Sequence, residues 1–200
     1  MKTKVLAILL CSALFVCAFS GCEDAKAEPE ESSISTVALE EGKFDIDAVR
    51  NNISIKGHKF IVPQKLSQLD SGLKYKFVGE EFDDGLYEVE ISDENGVILS
   101  SVAENAHDKS DKASLYNIAL NDSESNVYGI TPQISNKEDV VKLFGEPDAT
   151  KETDIMDSKI VSFIYGFREE TSDYRTKGKF MNISFNEDNI VSSVVINYVE

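Results

Sequence analysis

The mature part of this 200-residue chain offers few side chains that do chemistry, and they are scattered. It has two histidines, His58 and His107, and no tryptophan. Nothing resembles the Gly-x-Ser-x-Gly turn that exposes a nucleophilic serine above a sheet, so neither imidazole has an obvious hydroxyl to activate. His58, in Lys56-Gly57-His58-Lys59, reads as a turn or strand-edge residue, and His107 falls in a polar loop over 106–112. Asp83-Asp84 and Asp93-Glu94-Asn95-Gly96 supply oxygen ligands, but neither follows the spacing of a calcium loop. Both read as hairpin turns. There is no phosphate-cradling glycine loop and no paired-histidine metal signature, so neither a cofactor nor a metal site is expected.

The elements that would position these groups are mostly strands. Runs over 159–167, 179–185 and 190–198 alternate with period two and are rich in β-branched and aromatic residues. Strands are also expected over 86–92, 97–102 and 115–120, the first two joined by a hairpin at Asn95-Gly96. One helix is clearly delimited over 136–144. Ser135 and Glu138 have the spacing of a capping box, Val140, Val141 and Phe144 share a face, Gly145 supplies a left-handed cap, and Pro147 forbids resumption. The stretch 63–72, ending in Gly72, looks like a shorter version of that helix. Identities 92 positions apart (Ile91 with Ile183, Ile98 with Ile190, Ser100-Ser101-Val102 with Ser192-Ser193-Val194) suggest an internal repeat. The expected fold is α+β: antiparallel sheet with short helices on one face, in two tandem helix-plus-sheet repeats over 44–122 and 123–200. The tyrosines of two strands, Tyr116 and Tyr165, are candidates for a free sheet face, with burial in the core as their competing fate.

Upstream, the chain reads as an address. Lys2 and Lys4 form a basic start, residues 5–19 are apolar, and Ser20-Gly21 are small. That run is shorter than the roughly 20 apolar residues a bilayer-spanning helix needs. Cleavage after Gly21 leaves Cys22 first in the mature chain, and the order Phe19-Ser20-Gly21-Cys22 resembles the lipobox of bacterial lipoproteins, with Phe19 where the family usually has Leu. The resemblance implies acylation of Cys22 and anchoring in the lipid bilayer, on the extracytoplasmic face of the cell membrane. All three cysteines, Cys11, Cys17 and Cys22, lie at or before the cut, so no disulfide framework is expected. Residues 22–43 are acidic and poor in large apolar side chains, the composition of a disordered tether, with order setting in between Phe44 and Ile53.

Charge narrows the partners. Removing the leader's two lysines leaves 18 basic against 36 acidic residues, a net −18. Such a surface is repelled by phosphate backbones, which argues against nucleic acid and leaves the membrane contact to the acyl chains. Gly129-Ile130-Thr131, then Val140 through Gly145-Glu146-Pro147, then the aromatic strand around Tyr165 are similar to the repeat of β-lactamase-inhibitor-protein-like domains and small outer-membrane-assembly lipoproteins. That resemblance covers 127–198, and more weakly 53–120. It implies a helix ending Gly-x-Pro packed on an antiparallel sheet, and says little about activity, because its motif residues are structural. The expected class is a non-enzymatic binding module for a protein or small ligand. The alternative is an envelope enzyme or enzyme inhibitor working through carboxylates.

Overall fold

The structure, a computed structural model, describes residues 38–83, 85–155, 158–169 and 177–199. The leader, Cys22, most of the tether and Asp84 lie outside the described residues. Of the described residues 54% are strand and 11% helix, which makes the fold sheet-rich with few, short helices. None of those helices is long and apolar enough to cross a membrane.

In chain order the elements are α1 (Ile46–Arg50), β1 (Ile53–Ile55), β2 (His58–Phe60), β3 (Gln64–Lys65), a 3-10 turn (Leu66–Gln68), β4 (Lys74–Asp83), β5 (Leu86–Asp93) and β6 (Gly96–Glu104). There follow β7 (Ser114–Leu115), β8 (Asn117–Leu120), β9 (Asn126–Val127), α2 (Lys137–Phe144), β10 (Ala149–Ile155), β11 (Ser158–Glu169), β12 (Lys177–Phe185) and β13 (Val191–Val199). They form a small sheet, β2-β1-β9, a first large sheet, β3-β7-β6-β5-β4, and a second large sheet, β10-β11-β12-β13-β8. Every strand pair is antiparallel, as the alternation led one to expect.

The halves expected at 44–122 and 123–200 are interleaved in these sheets. Residues 115–120, expected as one strand, divide at Tyr116: β7 pairs with β6 in the first large sheet, and β8 pairs with β13 in the second. The Tyr116 carbonyl accepts from the Tyr198 amide at 2.9 Å, which hands the chain from one sheet to the other. β9 pairs back onto β1. The described residues belong to one compact unit with one hydrophobic core. The 92-residue match holds for β5 against β12 but not for the strand that follows. Leu99 faces Ile91, whereas Val194 faces Ile183, so Ser100-Ser101-Val102 and Ser192-Ser193-Val194 stand three positions out of register.

One aromatic part of the core lies under α2. Val140 and Phe144 are buried, and Phe144 meets Phe44 edge-on at 6.1 Å and Tyr165 at 5.8 Å. The capping box forms one residue later than the sequence reading placed it. Asn136 Oδ1 accepts from the Asp139 amide at 2.9 Å, and Asp139 Oδ2 accepts from the Asn136 amide at 3.0 Å. Ser135 is not free to cap, because its hydroxyl accepts from the Thr131 amide and its carbonyl from the Val191 amide. Gly145 closes the helix at φ 78 and ψ −167, outside the left-handed helical region, and a Cβ there would run into the Gly42 carbonyl. Order also begins before Phe44. The Gly42 amide donates to the Leu143 carbonyl and the Leu39 amide to the Tyr128 hydroxyl, both at 2.9 Å, so the end of the expected tether is strapped across α2. Leu39 and Phe44 supply apolar surface to hold it there.

Candidate functional site

Two of the groups singled out in the sequence converge at one end of the first large sheet. Lys56 and Gly57 both have positive φ, so β1 and β2 are joined by a tight two-residue turn that presents His58 at its exit. Beside it the β5–β6 hairpin turns over Glu94 and Asn95, with Asp93 pairing with Gly96. Asp93 Oδ1 accepts from the amides of Asn95 (2.7 Å) and Gly96 (3.0 Å). Those bonds, the Asn95 amide above all, hold the Asp93 carboxyl below the usual carboxylate range. His58 Nε2 lies 3.7 Å from Asp93 Oδ2. Lys56, Asn95, Val97, Ile98 and Glu124 line an open groove of about 560 Å³ next to the pair. The Asp93 carboxylate beside this imidazole is committed to organising its own turn.

The other histidine is at the opposite end of β5. His107 Nδ1 lies 3.7 Å from Glu81 Oε1. Glu81 also accepts from the Gly85 amide and from the Tyr87 hydroxyl at 3.3 Å, closing the turn between β4 and β5. Burial first, then the Glu81 charge, pushes the Tyr87 hydroxyl pKa up. Placed at the two ends of one strand, the histidines do not form a joint site. Among the described residues no three His, Cys, Asp or Glu side chains gather to hold a metal ion.

The two tyrosines proposed for a free face are elsewhere. Tyr165 is 0% exposed and points to the core with Phe44, Phe144 and Phe163 around it. Its hydroxyl donates to the Gly145 carbonyl at 2.9 Å, and burial pushes its pKa well up. A surface role is thereby corrected to a core one: Tyr165 shares a row with Met181, Ile196 and Ile118, all buried. Tyr116 is half-buried at the point where the chain changes sheets.

The free face itself does exist, one residue out of phase with Tyr165. On the outer side of the second large sheet Lys151, Ser162, Ser184 and Ser193 form one row, with the lysine on the edge strand β10. Ala149, Ile164, Asn182, Val195 and Ala119 form the next. These residues are half-buried or exposed, whereas Phe180 and Asn197 in the row beyond are buried, with the Arg168 guanidinium over the Phe180 ring. The Ser162 and Ser184 hydroxyls pair at 3.0 Å, while Asn182 Oδ1 is buried with no hydrogen-bond partner among the described residues. The signal was present in the sequence: 160–167, 180–185 and 190–198 contain no charged residue, in a chain that is 28% charged. Reading the alternation for aromatics, not for missing charge, overlooked it. No family model, no curated protein and no solved structure matches this chain.

Proposed function

We propose that the mature chain is a lipid-anchored, non-enzymatic interaction module on the extracytoplasmic face of the membrane, presenting the outer face of its second large sheet to a partner protein. The single observation that carries this is the uncharged centre of that face, Ser162, Ile164, Ser184, Asn182, Ser193, Val195 and Ala119, with Lys151 and Arg168 at its borders and no acidic residue in the described rows. Interface cores are depleted of charged residues relative to the rest of a surface, and here an uncharged patch interrupts a chain of net charge −16. Asn182 adds to it, since an unsatisfied buried acceptor costs about 1–3 kcal/mol and a partner's donor would relieve it after the amide turns outward. Anchoring rests on Cys22 and the leader order alone. The kinship with β-lactamase-inhibitor-protein-like repeats is likewise a proposal. In its favour, each large sheet contains a three-strand meander (β4-β5-β6 and β11-β12-β13) that runs onto one half of the same divided strand. Against strict tandem repeats, the counterpart of α2 in the first half is only the 3-10 turn over Leu66–Gln68.

The test has two arms. Wild-type chain labelled with fatty acid in cells should carry the label in its mature form and Cys22→Ala should not; label on the variant's mature fragment contradicts the anchor. Val195→Lys, at the centre of the outer face, should melt like the wild type and lose partner capture from the envelope. Unchanged capture by Val195→Lys removes this face from the proposal.

A further inference from the structure

Away from that face, the first large sheet ends in a strand with one side unpaired. Among the described residues β4 is hydrogen-bonded only to β5. Its register is regular from Lys74 opposite Ser92 to Val78 opposite Glu88, then shifts before Asp83, with Gly79 at φ 72. Five residues therefore present a straight open edge. Tyr75 and Phe77 stand opposite Ile91 and Val89, both 0% exposed, and so lie on the core side of the sheet. They continue an edge-to-face aromatic row from Tyr87, with ring separations of 5.9 Å to Phe77 and 5.8 Å onward to Tyr75. That row stops at the edge with Tyr75 36% exposed, so one more strand would have apolar surface to cover. On the opposite side of β4 stand Lys74 and Lys76, both exposed.

We propose that this edge, Lys74 to Val78, receives an extended segment of a partner protein whose residues alternate between apolar and acidic. Main-chain hydrogen bonds to an open edge supply affinity, and alternate side chains supply selectivity. The apolar set would lie against Tyr75 and Phe77. The acidic set would face Lys74 and Lys76 in the cross-strand positions where opposite charges attract and like charges repel. The same lysines disfavour a second copy, because antiparallel pairing of two β4 edges sets lysine against lysine. The other long edge offers nothing comparable: the described side chains of β10, 149–154, are all exposed and mainly polar, and Glu152 is already bridged to Lys159 at 2.6 Å.

The probe is a blocked hexapeptide, Glu-Val-Glu-Val-Glu-Thr, with a lysine version in which each Glu is replaced. Binding to the full chain is followed by amide hydrogen exchange at about 0.15 M salt, where charges beyond ~8 Å are largely screened. Expected are added protection at 74–78 and about tenfold tighter binding of the glutamate peptide, from two favourable in place of two unfavourable cross-strand pairs. In the double variant Lys74→Glu, Lys76→Glu, whose melt should fall only slightly because residue 76 then faces Glu90, the preference should reverse. Protection elsewhere, no protection with either peptide, or an unreversed preference overturns the proposal. The outer face of the second large sheet is untouched by any of these outcomes.

Discussion

The two large sheets have five strands each and a similar meander, yet they use their faces differently. The second closes its core side with rings, Phe163 against Phe185 at 4.9 Å and Tyr165 against Phe144 at 5.8 Å, and keeps the centre of its outer side uncharged, with Lys151 and Arg168 at the borders. The first places Lys76 beside Glu90 and Val78 beside Glu88 on its outer side, and lets its aromatic row run out at the β4 edge. Rings packed at 4.5–7 Å add about 0.5–1.5 kcal/mol per pair beyond burial, so rigidity should concentrate in the second sheet and under α2. The charged outer side of the first sheet suits exposure to water.

This contrast can be broken most directly at the rings. Phe144→Ala should cost about 3–5 kcal/mol, because its ring is 1% exposed and sits between Phe44 and Tyr165. The same truncation at the edge, Tyr75→Ala, should cost less than about 1.5 kcal/mol, the order of a half-exposed aromatic. Denaturant melts giving equal losses would erase the distinction between the sheets. Next in size is Gly145→Ala, expected at about 1–3 kcal/mol from strained backbone, and more if the Gly42 strap must lift to make room for the new methyl. Hydrogen exchange would show that lifting as lost protection of the Gly42 amide.

Smaller effects sharpen the account of α2. Asn136→Ala should cost about 1 kcal/mol as a lost helix cap. Ser135→Ala should cost a similar amount for another reason, the lost acceptor of the Thr131 amide. Amide hydrogen exchange in the folded chain separates them, since only Asn136→Ala removes the acceptor of the Asp139 amide. The smallest expected effect is at Asp93. Its carboxyl titrates lower in the folded chain than unfolded, so its contribution is present above the unfolded value, roughly 3.9, and is lost as pH falls through the folded one. Asp93→Asn should flatten the acid limb of the stability curve below about pH 4 relative to wild type. An unchanged limb would mean that the turn amides do not distinguish the charged from the neutral group.

Much of the fold was legible because strand period and helix punctuation are local. The runs around Phe163, Ile183 and Val194 announce themselves by alternation, and α2 by its caps and by Gly145. What escaped depended on contacts distant in sequence. Ser135 and Asn136 each had an acid three residues on, and only the Thr131 amide, already held by Ser135, decided between them. The division at Tyr116 comes from β6 and β13 competing for one strand, which no local pattern encodes. Tyr165 and Ile164 are neighbours in an alternating run, and which parity faces inward depended on where Phe44 and α2 would dock. His58 and Asp93 come together because two turns meet at one sheet end, 35 residues apart in the chain.

The central claim is that the uncharged centre of the outer face of the second large sheet is where a partner sits. It is tested most directly by site-specific photo-crosslinking in the intact envelope, with the photoreactive residue placed in turn at Ser162, Val195 and Glu138. Ser162 and Val195 lie on the face, and Glu138 is a solvent-exposed position on α2. Expected is one discrete adduct of the same size from Ser162 and Val195 and none of that size from Glu138. An adduct from Glu138 alone, or none from either position on the face, would contradict the claim.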